Sequence, residues 1–433
     1  MKMKYWQRNS KRWSILAVGF ILTMALVSTP RLSRADAVTD WNAIATQATG
    51  TAIAAGRPGP ATLLDLAIVH VAIHDAVQAF DKRFEPYHVK ISGAAGSPVA
   101  ALATAAHDVL LNLFPAQAAS LNTQYADYLA SQGLSVNDPG VVVGQQAAAG
   151  ILALRANDGR FPANFPPFTG GTDIGVWRPT PSYLSGPPPT LAPGLIPWLA
   201  TVTPFTLKSP SQFRAGPPNK LSGKRYAEEY NEVKALGALQ NSTRTAEQTD
   251  LAYFYADNGV LTRALRTIAA AYISNLGESA RLFALAHLAV ADAIITSWDS
   301  KYFYVFWRPV TAIQQGDNDG NARTQGDPTW QPLINTPNYP EHSSGANNIS
   351  GAATRILQLF FGTDNLTFTA TSTYPLAVQK SRTYSRFSDA AKDVVNARIY
   401  LGIHFRTADE DARKQGRRVA KWVFKHFLQP VKR

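Results

Sequence analysis

Six residues in the last third of this 433-residue chain have the types and the order needed to surround a tetrahedral oxyanion: Lys301, Arg308, Ser344, Gly345, Arg398 and His404. Guanidinium forks bind oxyanion edges through two parallel donors, and an ammonium adds a movable point charge. A neutral imidazole nitrogen can bond a metal centre or attack phosphorus, so His404 is the candidate ligand or nucleophile. A serine and a glycine at the start of a helix contribute unpaired backbone N–H groups and the positive end of the helix dipole. Gly345 also lets the backbone approach closely.

These residues need elements to hold them. Lys301 and Arg308 are seven apart, so at about 100° per residue they return to one helix stripe, separated by roughly 10 Å of rise. One helix is therefore predicted to carry both, with Pro309 as a bend or stop. An apolar run over 349–360 places Ser344 and Gly345 at a helix start. Gly402 can interrupt the helix bearing Arg398, and Thr407 with Glu410 has capping-box spacing, so His404 projects just before the next helix.

Upstream, 38–157 is alanine-rich with apolar residues recurring at three and four, as in 61–80 and 99–113, which predicts a helical N-terminal region. Fourteen of the 28 prolines fall between Arg160 and Lys220, which predicts an irregular surface connector. Helical patterns return over 222–236, 245–257, a long pair across 260–302, 345–361 and 408–427, while strand-like alternation is confined to 365–373. The fold class expected is all-α, with two four-helix-bundle-like halves at 36–158 and 221–433 joined by a proline-rich connector at 159–220.

Residues 1–35 read as a secretory signal: Lys2, Lys4, Arg8, Lys11 and Arg12 precede an apolar run at about 15–27, and Ser33-Arg34-Ala35 offers a cleavage site. That run is shorter than the roughly 20 residues of a membrane span. The expectation is an exported protein, periplasmic or secreted, without a stable anchor after cleavage. The leader holds seven of the 42 basic residues and no acidic one, so the remainder carries 35 − 30 = +5. With no basic run interleaved with aromatics, nucleic acid is not an expected partner. Cysteine is absent, and the three methionines are Met1, Met3 and Met24. A sulfur-free mature chain excludes thiolate chemistry and suits an enzyme handling peroxide or hypohalite.

The order of the three cationic segments resembles the vanadium-dependent haloperoxidase and phosphatidic acid phosphatase type 2 superfamily. The segments at 175–181, 244–249 and 339–342 look like its longer bacterial haloperoxidase-type members. The resemblance implies a vanadate cofactor, with phosphate able to occupy the same pocket. Lys301, Arg308 and Arg398 would hold equatorial oxygens, Ser344 and Gly345 would donate hydrogen bonds, and His404 would be the axial ligand to vanadium. It further implies catalytic roles for His404 and for Lys301, which would polarise hydrogen peroxide for halide oxidation. Small organic acceptors or phosphate esters are the other implied substrates, the latter through a phosphohistidine at His404.

Two positions depart from the family pattern. Ala346 stands where the family has an acid–base histidine, and Ala408 where it has an aspartate orienting the ligand histidine. His342, Asp409 and Asp411 are the nearest stand-ins. Trp298 reads equally as a halide-pocket or core residue. Trp177-Arg178-Pro179 echoes Trp307-Arg308-Pro309 but has Gly171 at the lysine position, so it reads as a wrapped-loop feature. His70 and His74 have metal spacing at i and i+4 beside Asp75, yet no further ligand is in view and helix packing is the expected role.

Overall fold

Thirteen α-helices and one two-stranded ribbon make up a computed structural model that describes residues 36–182, 191–257 and 259–432. The signal reading at 1–35 lies outside the described residues. The N-terminal helices are α1 (Ala37–Ala54), α2 (Gly59–Asp81), α3 (Pro98–Leu113), α4 (Ala118–Ser131) and α5 (Gly140–Arg155). After the connector come α6 (Lys224–Leu236), α7 (Ala246–Phe254), α8 (Val260–Tyr272), α9 (Leu276–Tyr304) and α10 (Pro309–Gln314). The C-terminal part holds α11 (Gly345–Phe361), β1 (Asn365–Thr371), β2 (Ser381–Arg386), α12 (Phe387–Tyr400) and α13 (Arg406–His426). The all-α expectation therefore holds. The connector, as far as it is described, contains only short 3₁₀ turns at Pro197–Thr201 and Pro210–Phe213. The strand over 365–371 has an antiparallel partner in β2, which the polar string Ser381-Arg-Thr-Tyr-Ser-Arg386 does not announce.

Helix α9 organises the packing. It is buried from Ser279 to Lys301 on all faces, with α2 on one flank and α11 and α13 on another. By length and composition α2 and α9 could each span a bilayer, but their apolar windows are 89% and 100% buried inside the protein. A helix apolar all round belongs to a core when other helices cover it, as here. Polar groups on α9 tie down the connector. The Asp292 carboxylate accepts the amides of Phe205 (2.7 Å) and Thr206 (2.8 Å), and Asp299 takes a two-pronged bond from Arg214 (2.6 and 2.7 Å). Helices α11 and α13 approach closely at two glycines: a Cβ on Gly351 would sit 2.4 Å from the Arg413 oxygen, and one on Gly416 would sit 2.0 Å from the Asn348 oxygen.

His70 and His74 are held by packing and hydrogen bonds inside the helical core. His74 Nε2 bonds the Glu85 carbonyl at 3.1 Å, while His70 stacks on His287 with ring centroids 4.4 Å apart and shares Asn42 with it. Among the described residues no group of three or more His, Cys, Asp or Glu side chains could hold a metal ion. Burial holds His287 neutral, lowering its pKa to about 3. Its contribution to stability is complete above about pH 6.5 and is lost as pH falls toward 3, by about 1.4 kcal/mol per pH unit, because only the unfolded chain takes up the proton. The variant His287→Phe keeps the stacked ring and is expected to lose stability less steeply between pH 6.5 and 4, measured by denaturant unfolding. An unchanged slope would contradict this.

Candidate oxyanion site

Helix α9 ends at Tyr304 rather than running through Arg308. Val305 adopts a left-handed conformation (φ 48°) and donates its amide to the Lys301 carbonyl, closing the helix. Arg308 then takes an extended conformation (φ −81°, ψ 155°), as the residue before a proline prefers. Pro309 begins α10 instead of stopping α9, its missing N–H harmless in a first turn. The shared-stripe expectation is thus corrected: Lys301 and Arg308 meet across a chain reversal. The connector holds that reversal. Val176 pairs antiparallel with Phe306, the Trp177 amide donates to the Val305 carbonyl (2.8 Å), and the Trp307 amide donates to the Gly175 carbonyl (3.0 Å). The two Trp-Arg-Pro segments therefore lie side by side, and Arg178 turns to the carbonyls of Thr172 and Asp173, away from the site.

Lys301 is fully buried and donates to the carbonyls of Pro340 (2.9 Å) and Glu341 (3.0 Å), with its ammonium 4.9 Å from the Tyr339 ring centroid. An ammonium has three donors, so one remains. Burial, reinforced by the nearby Arg308 charge, lowers its pKa well below the usual lysine value. Arg308, equally buried, donates from Nε to Tyr339 O (2.8 Å) and from Nη1 to Ile403 O (2.8 Å). Its Nη2 is buried without a hydrogen-bond partner. Such a donor is costly to leave unmatched.

His404 lies between the left-handed Gly402 (φ 78°) and α13. Its Nδ1 is 2.9 Å from Glu341 Oε1, and its Nε2 is 3.2 Å from Arg308 Nη1. An arginine nitrogen can only donate, so the lone pair sits on Nε2 and Nδ1 carries the proton toward Glu341. Burial and the charges of Arg308, Lys301 and Arg398 hold the ring neutral, far below the ordinary histidine pKa. Burial pushes Glu341 up to about 8, against the pull of Arg308, Lys301 and the Phe405 amide. Arg398, at 7% exposure, acts electrostatically on His404 and Asp409.

Ser344 caps α11 by position, but its amide is engaged by the Ala408 carbonyl at 3.1 Å. The hydroxyl is turned to the Asp409 carboxylate, with Asn347 beside it. A Cβ on Gly345 would lie 3.3 Å from Ile294 and from Trp298, so this glycine seats the start of α11 against α9. Trp298 itself donates to the Leu195 carbonyl and packs on Tyr339, combining core and wall. The capping box expected from Thr407 and Glu410 does not form: Phe405 is the N-cap, Thr407 bonds the Glu229 carboxylate, and Glu410 faces Arg225.

The three stand-ins separate. Asp409 is buried beside Asn347 (2.7 Å) and Arg398, with its pKa raised to about 7 by burial, and it does not contact His404. Asp411 pairs with Lys414. His342 Nε2 bonds the Gly216 carbonyl (2.7 Å). The ring-orienting role falls instead to Glu341, which sequence reasoning missed. With Lys301, Arg308 and Arg398 against Glu341 and Asp409, the formal site charge is 3 − 2 = +1. A surplus cation count, an unmatched guanidinium nitrogen and a neutral imidazole whose lone pair is turned toward Arg308 fit a tetrahedral oxyanion.

The fold is shared with vanadium-dependent haloperoxidases, and the segment that carries the site matches a family model of that class. Residues 281–433 match the family described as the VCPO second helical-bundle domain. In sequence the chain is similar to the vanadium chloroperoxidase of Curvularia inaequalis, 28% identical over 184 residues that cover 34% of this chain and 30% of the relative. Two solved structures share the fold. The first bacterial vanadium-dependent iodoperoxidase has a TM-score of 0.77 at 24% identity, covering 92% of this chain and 98% of that one. An apo-type bacterial vanadium-dependent chloroperoxidase has a TM-score of 0.70 at 17% identity, with 84% and 92% covered.

Proposed function

We propose that this protein is an exported vanadium-dependent haloperoxidase-like enzyme that oxidises halide with hydrogen peroxide. The observation that carries the reading is the His404 pair: Nδ1 tied to Glu341 leaves Nε2 as a lone pair facing the arginine-lined pocket. Vanadate, when bound, supplies a Lewis-acidic centre that activates peroxide toward attack by halide. Arg308 Nη2, the remaining Lys301 donor, Arg398 and the α11 start would hold its oxygens, with His404 as the protein ligand. Glu341 fixes the His404 tautomer and ring orientation, the way an outer-shell carboxylate raises ligand basicity. The burial of Lys301, Arg308 and His404 keeps bulk water off these charges and strengthens each contact.

A second reading is that the same pocket binds phosphate: a phosphomonoesterase with His404 as nucleophile, whose leaving group would need a proton source other than position 346, or, favoured by Ala346, an oxyanion-binding homologue with impaired turnover. Purified full-length protein loaded with orthovanadate is expected to brominate phenol red in bromide and peroxide. Hydrolysis of an activated aryl phosphate without bromination would select the phosphatase, and tight vanadate binding without either activity the binding protein.

A further inference from the structure

We propose a second anion site, separate from the His404 pocket, in the cleft between α11, the β2–α12 junction and α13, taking a phosphate-bearing ligand of the polyphosphate class. The cleft has a volume of about 520 Å³, and Arg355, Arg386, Arg413, Lys414 and Arg417 line it with a single carboxylate, Asp364. That carboxylate is already engaged by Gln358 Nε2 (2.6 Å), the Ser388 amide (3.0 Å) and Arg386 (3.0 Å). Lys414 pairs with Asp411 outside the lining.

Arg355, Arg413 and Arg417 form no ion pair among the described residues. Arg355 and Arg417 both donate Nη1 to one acceptor, Gln358 Oε1, at 3.1 Å each, and Arg355 Nε is buried with no partner. Arg413 and Arg417 are one turn apart on α13, and burial plus the like charges of Arg355 and Arg413 lowers the pKa of Arg417. Half-buried guanidinium groups facing one another repel, and an oxyanion between them converts that repulsion into charge-assisted hydrogen bonds. Three guanidinium groups without a carboxylate partner line one cleft beside Arg386 and Lys414, a spread of cationic donors that favours a ligand with several phosphoryl groups.

The test is calorimetric titration of the full chain with pyrophosphate at low salt. The double variant Arg355→Gln/Arg417→Gln is expected to lose at least about tenfold in affinity, about 1.4 kcal/mol, and its Tm is expected not to respond to pyrophosphate. Arg398→Gln, in the other pocket, is expected to keep this binding. Without ligand the double variant should melt no lower than the wild type, because it removes mutual repulsion. If it is unfolded, Arg413→Gln serves in its place. Failure of the wild type to bind pyrophosphate, binding lost only in Arg398→Gln, or equal affinity for inorganic phosphate would each overturn the proposal.

Discussion

Replacing Ala346 with histidine is expected to raise the rate of vanadate-dependent bromide oxidation by about 10² to 10⁴, the usual contribution of a positioned general acid or base. Ala346 is in the first turn of α11, one residue past the buried Gly345, and is itself only partly buried, so an imidazole has somewhere to go. The oxyanion-holding groups are elsewhere, and their contacts do not involve this side chain. The gain should therefore appear in kcat at saturating peroxide, while the vanadate Kd measured by titration moves by a few fold at most. A histidine variant no faster than the parent would show that the chain moves its proton by some route other than position 346.

The second large effect is expected from Glu341→Gln. The carboxylate accepts His404 Nδ1–H and the Phe405 amide (3.0 Å), and it is the negative charge closest to the ligand histidine. Both bonds meet at one oxygen, Oε1, which the amide can reproduce, but the amide carries no charge to make the imidazole more basic, so vanadate affinity should fall about 10- to 100-fold. A pH signature accompanies the loss. Because the Glu341 pKa is pushed up to about 8, lowering the pH below that value protonates the carboxyl. It then becomes a donor to Nδ1 and shifts the ring proton onto Nε2, against Arg308. Wild-type affinity should thus climb as pH rises through about 8, and the Glu341→Gln profile should be flat there. Equal affinities and parallel profiles would mean that Glu341 only fills space.

Much of this site is legible in the sequence because charge type survives folding. Lys301, Arg308, Arg398 and His404 are recognisable by order and spacing, and helix starts at Gly345 and after Gly402 follow from local chemistry. What fails is anything decided by a distant partner. Glu341 has no periodic signal, and the histidine it orients is 63 residues away. The Thr407 capping box is a sound local pattern, yet its hydroxyl goes to Glu229, 178 residues away. The helix register from Lys301 to Arg308 fails because a β-branched valine adopts a left-handed turn, which is held from outside by the Trp177 segment.

The burial of α9 on every face also bears on how the molecule comes apart. One flank of this helix is covered by α2, from well before the residues that match the second-bundle family, and its far end supplies Lys301. A fragment beginning at 221 would carry every oxyanion-holding group yet leave a long apolar stripe open to solvent, inviting self-association. The N-terminal helices thus cover the helix that supplies Lys301, while the hydrogen bonds described at the pocket come from residues outside them.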